Sequence, residues 1–183
     1  PELAWRLAGH QVRRLLLRPA EGFMLDADRI GEQPDLIVIS NPTNPTGVLH
    51  PAAEIRRLVR PGRIVVVDEA FMDFVPGETQ SLLGGDLTGI LVTRSLTKLW
   101  GIAGLRAGFV AGDGSLIAEL AAHQEPWAVS TPALDAIVAT SAPRASSHVA
   151  RVVEQVTADR AVLVDSLAAL GFPVAGDPQT PFV

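Results

Sequence analysis

Three continuous apolar segments constrain the fold of this chain more than any other feature. They occupy residues 35–40, 63–69 and 89–93, and Ile, Leu and Val dominate each of them. Uninterrupted apolar runs of this length are typical of strands that are covered on both faces, as in a parallel sheet. Residues 51–59, between the first two runs, have the apolar spacing of a helix. Strands that alternate with helices predict the α/β class, with a mainly parallel, doubly wound sheet.

The rest of the chain is expected to add further elements around these strands. We predict strands over residues 11–17 and 107–111, and helices over 2–9, 116–122, 133–140 and 146–170. Gly171 suits the position just after the end of the last helix. Residues 1–145 are therefore assigned to one large domain. Residues 146–183 are assigned to a long connecting helix and, from a strand-like start at 172–174, to the beginning of a small domain that is largely absent.

The composition excludes several classes of function. The 183 residues have a net charge of −5 and no clustered basic surface, so no nucleic-acid partner is expected. The chain has no cysteine, which excludes disulfides and thiolate chemistry and suits a cytoplasmic protein. The histidines are scattered, so no metal site is predicted. No apolar run approaches the roughly 18 residues of a membrane helix. Because the chain starts at Pro1 rather than at methionine, we expect a piece of a longer protein.

Polar side chains follow each of the three main strands. Asn44 lies in the Pro-, Asn- and Gly-rich loop 41–47 after the first strand, Asp68 closes the second, and Lys98 follows the third. The carboxyl ends of parallel strands meet at one edge of a sheet, where ligands of α/β proteins bind. The sequence therefore predicts that these three side chains meet in one crevice. For Lys98 alone, a surface lysine beside a helix start is the alternative.

The residue types at these positions fit a phosphorylated pyridine aldehyde. Lys98 can bond to the aldehyde and then act as a base, and the Asp68 carboxylate favours a protonated ring nitrogen. Asn44 can donate to the phenolic oxygen of the ring. Three further residues can hold the phosphate: Ser95, Thr97 and Arg106. Capping of local backbone is the alternative for Thr97.

Four motifs carry a resemblance to a known family. They are Asn41-Pro42-Thr43-Asn44-Pro45-Thr46-Gly47, Asp68-Glu69-Ala70-Phe71, Ser95-Leu96-Thr97-Lys98 and Gly104-Leu105-Arg106-Ala107-Gly108. Steps of 24, 30 and 8 positions separate Asn44, Asp68, Lys98 and Arg106. The chain resembles the class I/II aminotransferases of fold type I, which use pyridoxal phosphate. Within them, it is most similar to the branch of histidinol-phosphate aminotransferase and CobC threonine-phosphate decarboxylase. The clear likeness runs from about residue 35 to residue 142, with weaker likeness on either side.

The resemblance implies a role for each of these residues. Lys98 is expected to form the Schiff base with the cofactor, and Asp68 to bind its pyridine nitrogen. Asn44 is expected at the phenolic oxygen, and Ser95 and Arg106 at the phosphate. The resemblance also implies a small amino substrate, a homodimer for the intact protein, and transamination as the reaction. Decarboxylation of threonine phosphate for cobalamin synthesis is the alternative reaction.

Two departures from the family pattern affect the expected activity. Phe71 stands where most members have tyrosine, and the chain contains no tyrosine. One donor to the phenolic oxygen is therefore lost, and Phe71 can offer the cofactor only packing. The family's N-terminal phosphate-binding loop and its C-terminal arginine for the substrate carboxylate have no match in this sequence. An inactive, aminotransferase-like binding or structural module is therefore the hypothesis from another functional class.

Other residues near these motifs have structural interpretations. Residues 64–71 resemble the Walker B strand of an ATPase, but the chain has no Gly-Lys-Ser/Thr loop to accompany it. Glu69 is interpreted as a strand-end carboxylate that is bound by backbone. Trp100 and Trp127 are predicted to lie in the core or in a pocket wall, with a substrate role for Trp127 as the alternative.

Overall fold

The computed structural model describes residues 2–183, which form one sheet with helices around it. The strands are β1 (Leu36–Ser40), β2 (Ile64–Asp68), β3 (Ile90–Ser95) and β4 (Gly108–Gly112). The helices are α1 (Glu2–Leu7), α2 (Ala52–Arg56), α3 (Gly114–Ala122), α4 (Thr131–Thr140) and α5 (Ser146–Ala169). Within this range, no helix is both long and apolar enough to cross a membrane.

The sheet has the strand order β1-β2-β3-β4. β2 pairs in parallel with both β1 and β3, and β4 runs antiparallel to β3. The predicted mainly parallel α/β fold is therefore confirmed. The connection from β3 to β4 contains only the 3-10 turn Ala103–Leu105. Because a parallel connection usually needs a crossover helix, this short segment returns the chain in the opposite direction.

One face of the sheet forms the hydrophobic core. Alternate residues of β1, β2 and β3 project onto this face: Ile37, Val65, Val67, Ile90 and Val92. They pack against a second set of buried side chains from the connecting segments: Leu25, Ile30, Ile55, Leu58 and Leu82. Burial of each such aliphatic side chain stabilises the fold by roughly 1.5–3 kcal/mol. The core thus fixes the three parallel strands and the edge at which they end.

The opposite face of the sheet carries the polar strand ends. The register pairs Ser40 with Asp68 and Asp68 with Thr93, so these three residues lie in one row at the carboxyl edge. Alternation along β3 places Ser95 on the same face. Three apolar side chains of this face are exposed: Leu36, Val38 and Val110. This open face is where the candidate site lies.

Two of the predicted strands do not form. Residues 11–17 and 172–174 are irregular, so both predictions are wrong. Leu15 and Leu16, which suggested the first strand, are exposed. Among the residues described, neither segment pairs with a strand of the sheet, and an isolated strand cannot satisfy its backbone hydrogen bonds.

The helices agree with the prediction in type and place. α5 covers almost all of the predicted range 146–170, and Gly171 follows it with a φ of +86°. The helix lies at the periphery, because none of its residues is buried. Leu163, which belongs to its apolar side, is exposed. The apolar stripe of α5 is therefore only partly covered by the residues described.

Candidate active site

The end of β2 presents the Asp68 carboxylate to the open face. Its Oδ1 accepts hydrogen bonds from the Ala70 amide at 3.1 Å and from the Thr93 hydroxyl of β3 at 3.2 Å. These bonds hold the carboxylate between the two strands. Oδ2 accepts no hydrogen bond from residues 2–183, and it is therefore available to a donor on a ligand.

Two hydroxyl groups and a guanidinium line a small cavity beyond the end of β3. The cavity has a volume of about 290 Å³ and is lined by Arg94, Ser95, Thr97, Arg106, Ala107 and Gly108. Ser95 Oγ and Thr97 Oγ1 are 2.7 Å apart. The side chain of Arg106 is exposed, and its backbone has a left-handed φ of +56°. Hydroxyl donors beside an arginine suit a phosphate, so the three residues predicted to bind the phosphate lie together.

Lys98 lies in the turn after β3 with an exposed side chain. Its Nζ is 5.6 Å from the centroid of the Phe71 ring, which is within the range of a cation–π contact. Phe71 contacts Phe182 edge-to-face, with the ring centroids 4.9 Å apart. The amine thus lies beside the segment that follows Asp68, and two phenyl rings form the apolar wall next to it.

The loop that carries Asn44 is held in place by His50. The Asn41 side chain accepts from the His50 amide at 2.8 Å and donates to the His50 carbonyl at 3.1 Å. His50 Nδ1 accepts from the Leu25 amide at 3.3 Å, and Nε2 lies 2.9 Å from Thr43 Oγ1. Burial lowers the pKa of His50 from 6.5 to about 4, so the ring is neutral at pH 7. Asn44 is exposed, and its side chain makes no hydrogen bond within the described residues.

The last eight residues form a strap, residues 176–183, across the same loop. The Gln179 amide donates to the Gly47 carbonyl at 2.7 Å. Gly47 has a φ of +67°, and a Cβ added there would lie 2.7 Å from Thr180 Oγ1. Glycine is therefore required at this position for both conformation and space. The strap also supplies Phe182, so it connects the Asn44 loop with the apolar wall beside the lysine.

A buried ion cluster lies behind the polar strand ends. Glu69 is fully buried and accepts hydrogen bonds from Ser81 Oγ and the Leu82 amide, both at 2.7 Å. Its Oε2 is 3.0 Å from Arg94 Nε, an ion-pair distance, although the N–H is not aligned for a hydrogen bond. The interpretation of Glu69 as a structural carboxylate is confirmed. Its pairing with Arg94 was not predicted, because no periodicity marks a contact between residues so far apart in sequence.

The predicted site residues form neighbouring groups rather than one enclosed crevice. The phosphate-binding candidates share a cavity, Asp68 is tied to β3, and Lys98 faces Phe71. Asn44 is exposed, and no hydrogen bond joins its side chain to these groups among residues 2–183. The donor set nevertheless fits pyridoxal phosphate: a polar cavity with an exposed guanidinium, a carboxylate oxygen without a partner, and a free amine.

Trp100 and Trp127 do not line this site. Trp127 is 97% exposed, with a φ of +64°, so its predicted position in the core or in a pocket wall is wrong. Its whole segment, residues 121–130, is exposed. Trp100 is half-buried and stacks on His148 of α5, with the ring centroids 4.9 Å apart. It therefore supports the turn after Lys98 from the side of the long helix.

The fold and the four motifs place this chain in a known family of transferases. The family model for aminotransferase class I and II matches residues 2–183, so the chain belongs to that family, whose members generally use pyridoxal phosphate. Over all 183 residues it is 44% identical to a histidinol-phosphate aminotransferase of Mycobacterium tuberculosis (strain H37Rv) and covers 50% of it. Over 177 residues it is 35% identical to a threonine-phosphate decarboxylase of Pseudomonas aeruginosa, with 94% of this chain and 50% of that protein covered.

Solved structures show the same fold. The histidinol-phosphate aminotransferase of Clostridium acetobutylicum matches with a TM-score of 0.80 and 21% identity, over 95% of this chain and 56% of its own. The family match covers the region of clear likeness, 35–142, and extends over the weaker likeness predicted on either side of it. The chain spans about half the length of the curated relatives that it matches.

Proposed function

We propose that this chain is the cofactor-binding part of a pyridoxal-phosphate-dependent aminotransferase of the histidinol-phosphate type. Its substrate would be an amino acid or an amino-alcohol phosphate, and the intact protein a homodimer. The cavity beyond β3 is the observation that carries the proposal, because it joins two hydroxyl groups 2.7 Å apart with an exposed arginine. The relative that is 44% identical, named histidinol-phosphate aminotransferase, supports the substrate class.

The proposal gives each polar group at the carboxyl edge a separate task. Pyridoxal phosphate supplies an aldehyde that bonds to amines and a ring that withdraws electrons from them. Its phosphate would be held by three residues: Ser95, Thr97 and Arg106. Asp68 Oδ2 would accept the N–H of the ring, since a carboxylate at close range favours the protonated nitrogen. Lys98 Nζ would hold the aldehyde covalently and, when free, would serve as a base that accepts and returns a proton.

The phenolic oxygen of the cofactor has fewer donors here than in most of the family. Asn44 is proposed to donate to it, and its exposed side chain is free to do so. Phe71 has no hydroxyl group, so this residue contributes only its ring, next to Lys98. The ionised form of the phenol is therefore less stabilised than it would be with a tyrosine at position 71.

Covalent trapping on Lys98 tests the proposed function. We expect pyridoxal phosphate to give the protein a visible absorbance band, and borohydride followed by peptide mapping to place the label on Lys98. Lys98→Ala should abolish both signals, whereas Arg151→Ala, on the exposed side of α5, should leave them intact. Label on other lysines is excluded within this chain, because Lys98 is its only lysine. No band and no label, in this chain and in a longer protein that carries it, would favour the inactive binding module.

Decarboxylation of threonine phosphate is the second candidate. The 35% identity to a protein named threonine-phosphate decarboxylase favours it. The two reactions differ in the bond that is broken, which depends on how the substrate is oriented at the ring. We expect amino transfer from histidinol phosphate to a 2-oxo acid. Release of carbon dioxide from threonine phosphate, without amino transfer, would instead identify the decarboxylase.

A further inference from the structure

Two side-chain pairs connect the ends of β2 and β3, one on each face of the sheet. On the open face, the Thr93 hydroxyl donates to the Asp68 carboxylate at 3.2 Å. On the buried face, Glu69 Oε2 and Arg94 Nε form an ion pair at 3.0 Å across the same two strands. These two pairs enclose the backbone of β2 and β3 at the point where both strands end. The buried pair therefore adds to the backbone hydrogen bond from the Glu69 amide to the Thr93 carbonyl, at 2.9 Å, in holding the two ends together.

Arg94 also holds the segment that follows β2. Its guanidinium reaches three further groups: Asp73 Oδ1 at 2.5 Å, the Glu78 carboxylate, and Ser81 Oγ at 3.0 Å. Asp73 belongs to the 3-10 turn Met72–Phe74, which comes directly after Phe71. One planar guanidinium thus ties β3 to the turn that sets the position of the Phe71 ring, in a fork geometry that lysine cannot reproduce.

The positive charge of Arg94 is neutralised by carboxylates and is not available to a bound anion. One guanidinium faces three carboxylates, and the Arg94 side chain is only 5% exposed. Although Arg94 lines the cavity beyond β3, its Nη groups are directed at Asp73 and Glu78. Arg106, by contrast, is exposed, and within residues 2–183 its guanidinium donates only to the Ala103 carbonyl, at 3.5 Å. The charge for the phosphate must therefore come from Arg106, and Arg94 must act through the backbone.

We infer that Glu69 and Arg94 are positioning residues for the cofactor. They hold Asp68 and Ser95, their neighbours in sequence, at the separation that a single bound molecule requires. The inference rests on the proposed function, because it is that function which requires both groups to contact one ligand. Loss of the pair lets β2 and β3 splay at their ends. Displacements of about 1 Å are enough to weaken a site that depends on several contacts at once.

Arg94→Lys tests this inference, because lysine keeps the charge but cannot contact four groups at once. The dissociation constant for pyridoxal phosphate is measured by absorbance titration well below the melting temperature, and the melting temperature is measured without cofactor. We expect the dissociation constant to rise about tenfold or more, as for outer partners of metal ligands. A purely structural role would lower the melting temperature and leave the dissociation constant unchanged.

Arg63→Lys is the matched control. Arg63 is also buried and donates to the carbonyls of Gly31, Pro34 and Leu58, but it lies before the opposite end of β2. We expect this variant to melt at a lower temperature and to bind the cofactor with the wild-type dissociation constant.

Glu69→Gln decides the question if Arg94→Lys does not fold, since glutamine keeps the size and the acceptor for the Leu82 amide. Weaker cofactor binding by a folded Glu69→Gln variant supports the inference. Wild-type affinity in a folded variant, or loss of the fold in both variants, overturns it. A wild-type protein that binds no cofactor overturns the proposed function and the inference with it. A wild-type protein that binds, beside variants that bind equally well, overturns the inference alone.

Discussion

The protonation of His50 affects the stability of the fold, including the loop that carries Asn44. The ring is almost fully buried and accepts a hydrogen bond from the Leu25 amide, which requires an unprotonated Nδ1. Burial lowers its pKa from 6.5 to about 4. In the unfolded chain the same ring keeps its ordinary pKa, so between these two values the unfolded chain binds a proton that the folded chain does not. The stability is therefore present above about pH 6.5 and is lost as the pH falls towards 4.

Replacement of His50 by glutamine should remove much of this pH dependence. Between pH 7 and pH 4 we expect the unfolding free energy of the wild type to fall by roughly 3 kcal/mol more than that of His50→Gln. Urea denaturation at a series of pH values measures the difference. Carboxylates titrate near the acid end in both proteins, so only the difference between the two slopes reports on His50. Parallel slopes would show that the imidazole is not held in its neutral form.

Gly47 is the residue at which the strap comes closest to the Asn44 loop. An alanine Cβ would lie 2.7 Å from Thr180 Oγ1, at a φ of +67°. We expect Gly47→Ala to lower the unfolding free energy by roughly 2–5 kcal/mol, the sum of left-handed strain and overlap. Gly62→Ala is the control, since Gly62 has a φ of +78° but no atom within 4 Å of the added Cβ. It should cost only the strain, roughly 1–2 kcal/mol. Equal losses in denaturation would contradict a tight contact with the strap.

Among the secondary-structure elements, the strands with apolar runs could be predicted from the sequence. β1, β2 and β3 form within two residues of the predicted ranges. The expected cover on both faces is wrong for β1, whose Leu36 and Val38 are exposed among the residues described. Residues 11–17 show the limit of such local patterns. Their leucines resemble a strand, but a strand also needs a neighbour, and the sequence does not encode one locally. The antiparallel direction of β4 was not predicted for a related reason. The apolar pattern of a strand does not show whether it runs parallel or antiparallel to its neighbour.

α5 should be the least protected of the long elements. None of its residues is buried, whereas Val65 and Val67 of β2 are inaccessible to solvent. Local opening of α5 therefore exposes little additional apolar surface, and its amides should exchange hydrogen with a free energy roughly 1–2 kcal/mol or more below that of β2. Native-state hydrogen exchange followed by mass spectrometry measures both segments in one experiment. Equal protection of α5 and β2 would show that the helix unfolds only together with the sheet.

In the molecule as a whole, topology made part of the site predictable. Asn44, Asp68 and Lys98 were expected at one edge because the strands before them were expected to be parallel. The pairing of Asp68 with Thr93 confirms the parallel alignment of β2 and β3. Two features could not be predicted. The strap meets Gly47 from the other end of the chain, and Glu69 pairs with Arg94 across the sheet. Such contacts depend on the folded arrangement and leave no periodic signal in the sequence.

Cofactor binding should stabilise the entire fold, because the proposed contacts come from β2, β3 and the turns that follow them. A ligand at about 100 times its dissociation constant adds about 2.7 kcal/mol to the unfolding free energy. For a domain of this size that corresponds to a rise in melting temperature of roughly 5–11 °C. Thermal melts with increasing pyridoxal phosphate measure this rise.

The aldehyde and the phosphate can be separated in the same thermal melts. Pyridoxine phosphate has the phosphate and the ring but no aldehyde, so it should raise the melting temperature of the wild type and of Lys98→Ala by equal, smaller amounts. Pyridoxal phosphate should exceed that smaller shift only in the wild type, because only Lys98 Nζ can bond to the aldehyde. The two compounds would then be indistinguishable in Lys98→Ala. An equal shift by both compounds in the wild type would mean that Lys98 takes no part in binding, even if the cavity beyond β3 holds the phosphate.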